Sequence, residues 1–147
     1  MSRFVFPYGI QFREDSRIEV FPAAELFILG NGGRGIRALF HVDSGATTSV
    51  LPASDAAELG IHVAGGKRLI VRGIFAEEFF GYRHNVKAEF NGFRLHIPMI
   101  FVDAHVPPIL GREGVFSRSG ILFDEVKRKI AFLEEWSERK SINTLVG

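Results

Sequence analysis

The sequence predicts an all-β fold with one or two short helices, and three observations carry that expectation. The clearest is a run in which Val86, Ala88 and Phe90 alternate with Lys87 and Glu89. Asn91-Gly92 interrupts it, and Phe93, Leu95, Ile97 and Met99 resume the period of two. That period places one set of side chains on a single sheet face, and Asn-Gly suits a type I′ turn, whose two central residues need positive φ. Composition is the second: fifteen phenylalanines stand among 147 residues, and aromatic and β-branched side chains favour pleated, half-buried surfaces. Third, the apolar runs 24–29 and 36–42 flank Gly30-Asn31-Gly32-Gly33-Arg34-Gly35, which reads as a hairpin with a mobile turn.

The remaining elements follow along the chain. Pro52, an Ala-rich stretch and Gly60 mark a helix of about two turns. A further hairpin is expected from Leu69 to Tyr82, with Gly73 and Gly81 around the apolar tip Ile74-Phe75-Ala76-Glu77-Glu78-Phe79-Phe80. Pro107-Pro108-Ile109-Leu110-Gly111-Arg112 then leads into a short turn of helix near Glu113 to Ser117. Two last strands are expected near 120–124 and 129–133, and the polar tail from 134 to 147 is expected to be disordered or docked on a partner. Neither a repeat nor a linker interrupts the chain, so residues 1–147 read as one domain.

Composition excludes several classes of function. The formal charge is +1, from 18 basic and 17 acidic side chains, without the basic excess that phosphate neutralisation demands of a nucleic-acid binder. The short run Lys127-Arg128-Lys129 reads as a solvated turn. Cysteine is absent, which removes disulfides, thiolate metal sites and Cys nucleophiles. Five histidines (His41, His62, His84, His96 and His105) show no close metal spacing, so neither a metal nor another cofactor is expected. The N-terminal apolar run is too short for a signal peptide, and residues 97–102 fall far short of a membrane span. A soluble, cytoplasmic protein without membrane partners is the expectation.

One candidate for chemistry remains. The apolar strand Ala38-Leu39-Phe40-His41-Val42 runs into Asp43-Ser44-Gly45-Ala46-Thr47, and about sixty-five residues later Ile109-Leu110-Gly111-Arg112 appears. Taken alone, Asp43 reads as a carboxylate closing a turn onto the amides of Ser44 and Thr47. Ser44 lacks a Gly-x-Ser-x-Gly elbow and a histidine placed to activate it. The glycines at 30–35 are followed by no Lys-Ser or Lys-Thr, so they are not a P-loop. Asp43-Ser44-Gly45-Ala46-Thr47-Thr48-Ser49 also fits the first phosphate loop of actin-like ATPases, but that fold needs two large domains.

Together, the two motifs in this order resemble the retropepsin-like aspartic proteases over roughly residues 15 to 133. The resemblance implies a closed-barrel acid protease fold and an aspartic endopeptidase in which Asp43 is catalytic. It implies that Ser44 takes the place of the usual Thr, whose hydroxyl ties two catalytic loops together across a dimer. Gly45 would let substrate backbone approach, Ala46 would line the cleft, and Gly73, Ile74 and Phe75 would belong to a flap over the peptide. Gly111 and Arg112 would cross beneath the active-site loop and support it. At position 47 retroviral members carry an Asp that pairs with this arginine. Thr47 stands there instead, so a backbone carbonyl or Glu113 is the expected acceptor for Arg112.

Hydrolysis without a metal needs one base and one acid, and two carboxylates sharing a proton supply both. The chain holds one Asp-Ser-Gly, so the second carboxylate must come from another copy, and a homodimer acting on a peptide or protein substrate is expected. A non-catalytic dimer that holds peptides in the same cleft is the alternative.

Overall fold

The computed structural model describes residues 3–73, 76–134 and 136–147. Its strands are β1 (Arg3–Pro7), β2 (Gly9–Phe12), β3 (Ile18–Phe21), β4 (Ala23–Leu29), β5 (Gly35–Val42), β6 (Ser49–Pro52), β7 (Lys67–Arg72), β8 (Glu78–Phe90), β9 (Phe93–Val102), β10 (Ile109–Leu110), β11 (Gly120–Asp124) and β12 (Lys129–Leu133). Helix α1 spans Ala53–Glu58 and α2 spans Trp136–Val146. No helix among the described residues is long and apolar enough to cross a membrane.

Seven strands form one sheet in the order β4-β5-β10-β6-β9-β8-β7, and an additional β4–β8 pairing closes six of them into a ring. The all-β reading therefore holds, and the expected closure takes the form of this ring. Closing a sheet leaves its interior to be filled by alternate side chains from every strand. Leu26 and Ile28 of β4, Phe40 and Val42 of β5, Val86 and Ala88 of β8, and Leu95, Ile97 and Met99 of β9 fill it, all buried. The period-two run at 86–99 thus faces the core with the parity read from its sequence. Asn91 and Gly92 turn at φ 48° and 80°, the two positive values that a type I′ turn requires.

A three-stranded sheet, β1-β12-β11, lies against the ring. The phenylalanines join the two: Phe4 meets Phe90 edge-on at 5.0 Å, and Phe132 lies 5.3 Å from Phe90. Ring pairs in such geometries contribute about 0.5–1.5 kcal/mol each beyond their burial. Strands β2 and β3 form a separate two-stranded hairpin.

Four local expectations are corrected. The glycine turn at 30–34 is tied down, because Asn31 N–H donates to Leu59 O at 2.8 Å, Asn31 Nδ2 to Gly60 O and Arg34 to Ala57 O. These bonds tie the turn to carbonyls at and just past the C-terminal end of α1, where the helix supplies few partners of its own. The two hairpins between 67 and 102 share one strand, the thirteen-residue β8, which pairs with β7 on one side and β9 on the other. Residues 113–118 form consecutive turns rather than a regular helix, because Gly114 sits at φ +74°, outside the right-handed region. The tail is ordered as α2, which packs on its own chain: Glu138 is buried, and a Cβ at Gly120 would run into Ile142.

Candidate active site

Asp43 sits at the C-terminal end of β5, exposed to solvent. Strand β5 delivers it there because Val42 is still anchored in the core and Val42 N–H donates to Pro22 O at 2.9 Å. The Asp43 carboxylate accepts the Gly45 N–H at 2.8 Å. This is an Asx-type turn, made to Gly45 rather than to Ser44 or Thr47 as the turn reading expected. It fixes the carboxyl group's orientation through one oxygen and leaves the other open. A Cβ on Gly45 would lie 3.2 Å from that same Oδ1, tighter than ordinary contact, which is a local reason for glycine two residues after the acid.

The second motif is bound to this loop along its whole length. Strand β10 inserts between β5, which it parallels (Ile109 opposite His41), and β6, which it opposes (Ile109 opposite Val50). His41 N–H donates to Pro108 O at 2.9 Å and Asp43 N–H to Leu110 O at 3.0 Å. Beyond β10, Arg112 N–H donates to Ala46 O and Glu113 N–H to Thr47 O, both at 2.9 Å. Between them, Gly111 N–H donates to the buried Ser49 hydroxyl at 2.9 Å. Five bonds therefore hold residues 41–49 from below, three of them on the 43–47 loop itself, and Gly111 passes so close that a Cβ would lie 2.6 Å from the Thr48 carbonyl carbon. Two segments more than sixty residues apart act as one rigid unit, which is what holding a reacting group in place requires.

Arg112 is exposed, and its guanidinium reaches the Thr47 hydroxyl at 3.5 Å. The acceptor is thus Thr47 itself, not a carbonyl or Glu113. Glu113 is engaged elsewhere: it accepts from the Thr48 hydroxyl at 3.2 Å and pairs with Arg83 of β8 at 3.1 Å. Sequence reasoning did not assign Arg83 or Ser49 a role. Ser49 carried a usable signal, since a serine beside Val50-Leu51 in a buried strand must find a partner. Arg83 carried none, because its pairing depends on a fold-level crossing.

A second, smaller apolar cluster lies beside this loop. Val50, Ile100 and Val102 are buried in it, with Leu69, Val71, Phe79, Val106 and Ile109 packed around them. One face of the β7–β8 hairpin therefore covers apolar surface continuous with β6 and β10. Its other face carries Ile70 and Phe80, both more than half exposed, with the Arg68 guanidinium 4.4 Å above the Phe80 ring. Gly73 lies at the end of β7 and its N–H donates to Glu77 O at 2.9 Å. Ile74 and Phe75 lie outside the described residues. No group of three or more His, Cys, Asp or Glu among the described residues is arranged to hold a metal ion.

An aspartyl protease family profile matches residues 30–114, more than half of the chain, and spans both motifs. The chain belongs to the aspartyl protease family. Among solved structures, a retropepsin-like aspartic protease from Rickettsia conorii superposes with a TM-score of 0.54 at 18% identity, covering 89% of this chain and 90% of that one. That likeness establishes the retropepsin-like fold. The EIAV protease bound to the inhibitor HBY-793 is also similar, at 24% identity and a TM-score of 0.45, over 63% of this chain and 83% of that one. No curated protein matches the sequence.

His41, directly upstream in this family motif, stacks on Phe21 with ring centroids 3.7 Å apart and planes 4° from parallel. Burial holds its imidazole below the ordinary histidine range, against the opposing pull of Glu19. A lowered pKa means that the fold prefers neutral His41. Its contribution to stability is full above the unfolded value of about 6.5 and is lost as pH falls from there through the folded value. The melting temperature is therefore expected to drop more between pH 7.5 and 5.5 in the native protein than in His41→Phe. Calorimetry at the two pH values checks this, and equal drops would remove His41 as the titrating group.

Proposed function

We propose that the protein is an aspartic endopeptidase, active as a homodimer, which hydrolyses peptide bonds with a water activated between two Asp43 carboxylates. The observation that carries this reading is the way Asp43 is presented. It is an exposed carboxylate with one oxygen fixed by the Gly45 N–H, on a loop bonded throughout to the 108–113 segment.

In this reading one carboxylate takes a proton from the water while the water oxygen adds to the scissile carbonyl carbon. The protonated partner carboxyl gives its proton to the carbonyl oxygen. As the tetrahedral intermediate collapses, the carboxyl that took the water's proton gives it to the departing amine, and a hydroxyl of the intermediate returns its proton to the partner carboxylate, which restores the shared proton. Two like charges this close cannot both ionise, so the pair shares one proton in its resting state. Ser44, also exposed, would meet its twin across the axis and tie the two loops. Gly45 and Ala46 would flank the substrate backbone, with Thr47 beside them. Gly111 and Arg112 support the loop. The β7–β8 hairpin, with Gly73, Ile74 and Phe75 at its end, would close over the peptide and exclude water. Neither a metal nor an organic cofactor enters the reaction, and nucleic acid and membranes are not partners. The protein would work in the cytoplasm, as one domain over residues 1–147.

Cleavage of a mixed peptide library, with and without a statine-type inhibitor, tests the proposal. Inhibitable cleavage with a bell-shaped dependence of kcat/KM on pH is expected, both limbs belonging to the carboxylate pair. A flat or single-limbed profile would exclude a shared proton.

A further inference from the structure

We infer that the β2–β3 hairpin is an arm that docks its apolar face on the second copy of the chain, beside the paired Asp43 loops. This rests on the homodimer proposed above and adds to it a specific surface.

The hairpin has two unlike faces. Its register places Gly9 opposite Phe21 and Gln11 opposite Glu19 on one side, Ile10 opposite Val20 and Phe12 opposite Ile18 on the other. The first side is committed to its own chain. Phe21 is buried between Gly9, whose Cβ would strike the ring, and His41, on which it stacks, while Glu19 pairs with Arg13. On the second side Val20 packs against the main core, but Ile10, Phe12 and Ile18 are 62%, 77% and 62% exposed. Single exposed apolar residues are ordinary. Three large ones on one face of a short ribbon are not. Among the described residues the ribbon pairs with no other strand, and an isolated two-stranded hairpin is marginal in water unless something covers it.

Location identifies what covers it. The base is fixed to His41, two residues before Asp43, and both Glu19 and Arg13 lie close enough to act on that imidazole. A twofold axis that unites the two Asp43 carboxylates must pass beside Asp43. A standard interface of about 800 Å² per partner is a disc of roughly 16 Å radius, and a four-residue strand spans only about 13 Å. The base of the hairpin therefore falls within the footprint of a dimer of ordinary size built on that axis, and Phe12 and Ile18, at the far end of the ribbon, would extend the contact toward its rim. Aromatic side chains buried in such a contact contribute disproportionately to its affinity.

The test compares the native chain with the double variant F12S/I18S, by sedimentation over a wide concentration series and by peptide cleavage. Both residues are exposed, so the circular dichroism spectrum should be unchanged, any fall in melting temperature should follow only from the weaker dimer, and Phe12→Lys alone serves as a second variant. The dimer Kd is expected to rise at least about tenfold, with cleavage recovering at high protein concentration. A Kd within twofold of native in both variants overturns the inference, and if the native chain still cleaves peptide the protease reading survives it. A rise in KM at unchanged dimer Kd also overturns it, since the face would then hold substrate. A native chain that never dimerises overturns it as well. Conversely, a native dimer that the variants weaken but that cleaves no peptide supports the arm and removes the protease reading.

Discussion

Asp43→Asn is expected to lower peptide cleavage by at least about 10³-fold while the dimer and its melting temperature stay close to native, because asparagine keeps the shape but cannot exchange the proton. The Gly45 N–H that now binds the carboxylate at 2.8 Å can bind the amide oxygen equally well, so the loop should hold. Symmetry adds a sharper consequence. If each active site draws one carboxylate from each copy, a mixed dimer has half a dyad. Adding an equal amount of the variant to the native protein, with free exchange, leaves only about half of the native chains paired with one another. Native specific activity should then fall to about half, and to roughly a tenth with a tenfold excess of variant. Activity that is indifferent to added variant would place the whole reaction within one chain, where a single Asp-Ser-Gly cannot provide it.

Gly111→Ala is the second large effect. The added methyl would lie 2.6 Å from the Thr48 carbonyl carbon, 2.8 Å from its oxygen and 3.0 Å from Ser49 N. All three neighbours are backbone atoms, so none can rotate away. Overpacking typically costs 1–3 kcal/mol, and a collision with the Thr48–Ser49 peptide group belongs at the upper end, about 3 kcal/mol, a large part of the 5–15 kcal/mol of a typical domain. Urea unfolding should register that loss. Activity should fall further than the unfolded fraction explains, because the same displacement breaks the Gly111–Ser49 bond and shifts the Asp43 loop. Gly65→Ala is the matched control, since its nearest contact would be an ordinary 3.6 Å to His62. Equal stability of the two variants would mean that the 111 crossing is looser than its geometry implies.

The parts of this fold that could be read from sequence are those whose cause is local. Asn91-Gly92 with its flanking alternation, the Pro52 to Gly60 helix, and the strand leading into Asp43 each carry their reason within a dozen residues. The site was legible as two short motifs in order, but the bonds between them were not. Strand β10 has two residues, too few for any period, and its partners lie at 41–42 and 50. Arg112 was expected to pair with Glu113 or a carbonyl. Glu113 instead turns toward Arg83 on β8, which no spacing along the chain could place there. The first three strands were missed because each is only four or five residues long and the hairpin's apolar residues face outward, opposite to a core pattern. The tail was read as polar and loose, although α2 needs only one face, with Glu138 buried and Ile142 against Gly120, to hold it in place.

Strand β8 has a mechanical consequence. It is laddered with β7 at 78–83, with β9 from residue 81 onward and with β4 at 87–89, so both its edges are paired at 81–83 and again at 87–89. The clamp begins at Gly81, which is buried and so close to Ile100 that a Cβ would lie 2.6 Å from its methyl. The overhang is thus a cantilever rooted in the closed ring: bending concentrates at its root, and load on its free end is carried straight into that ring.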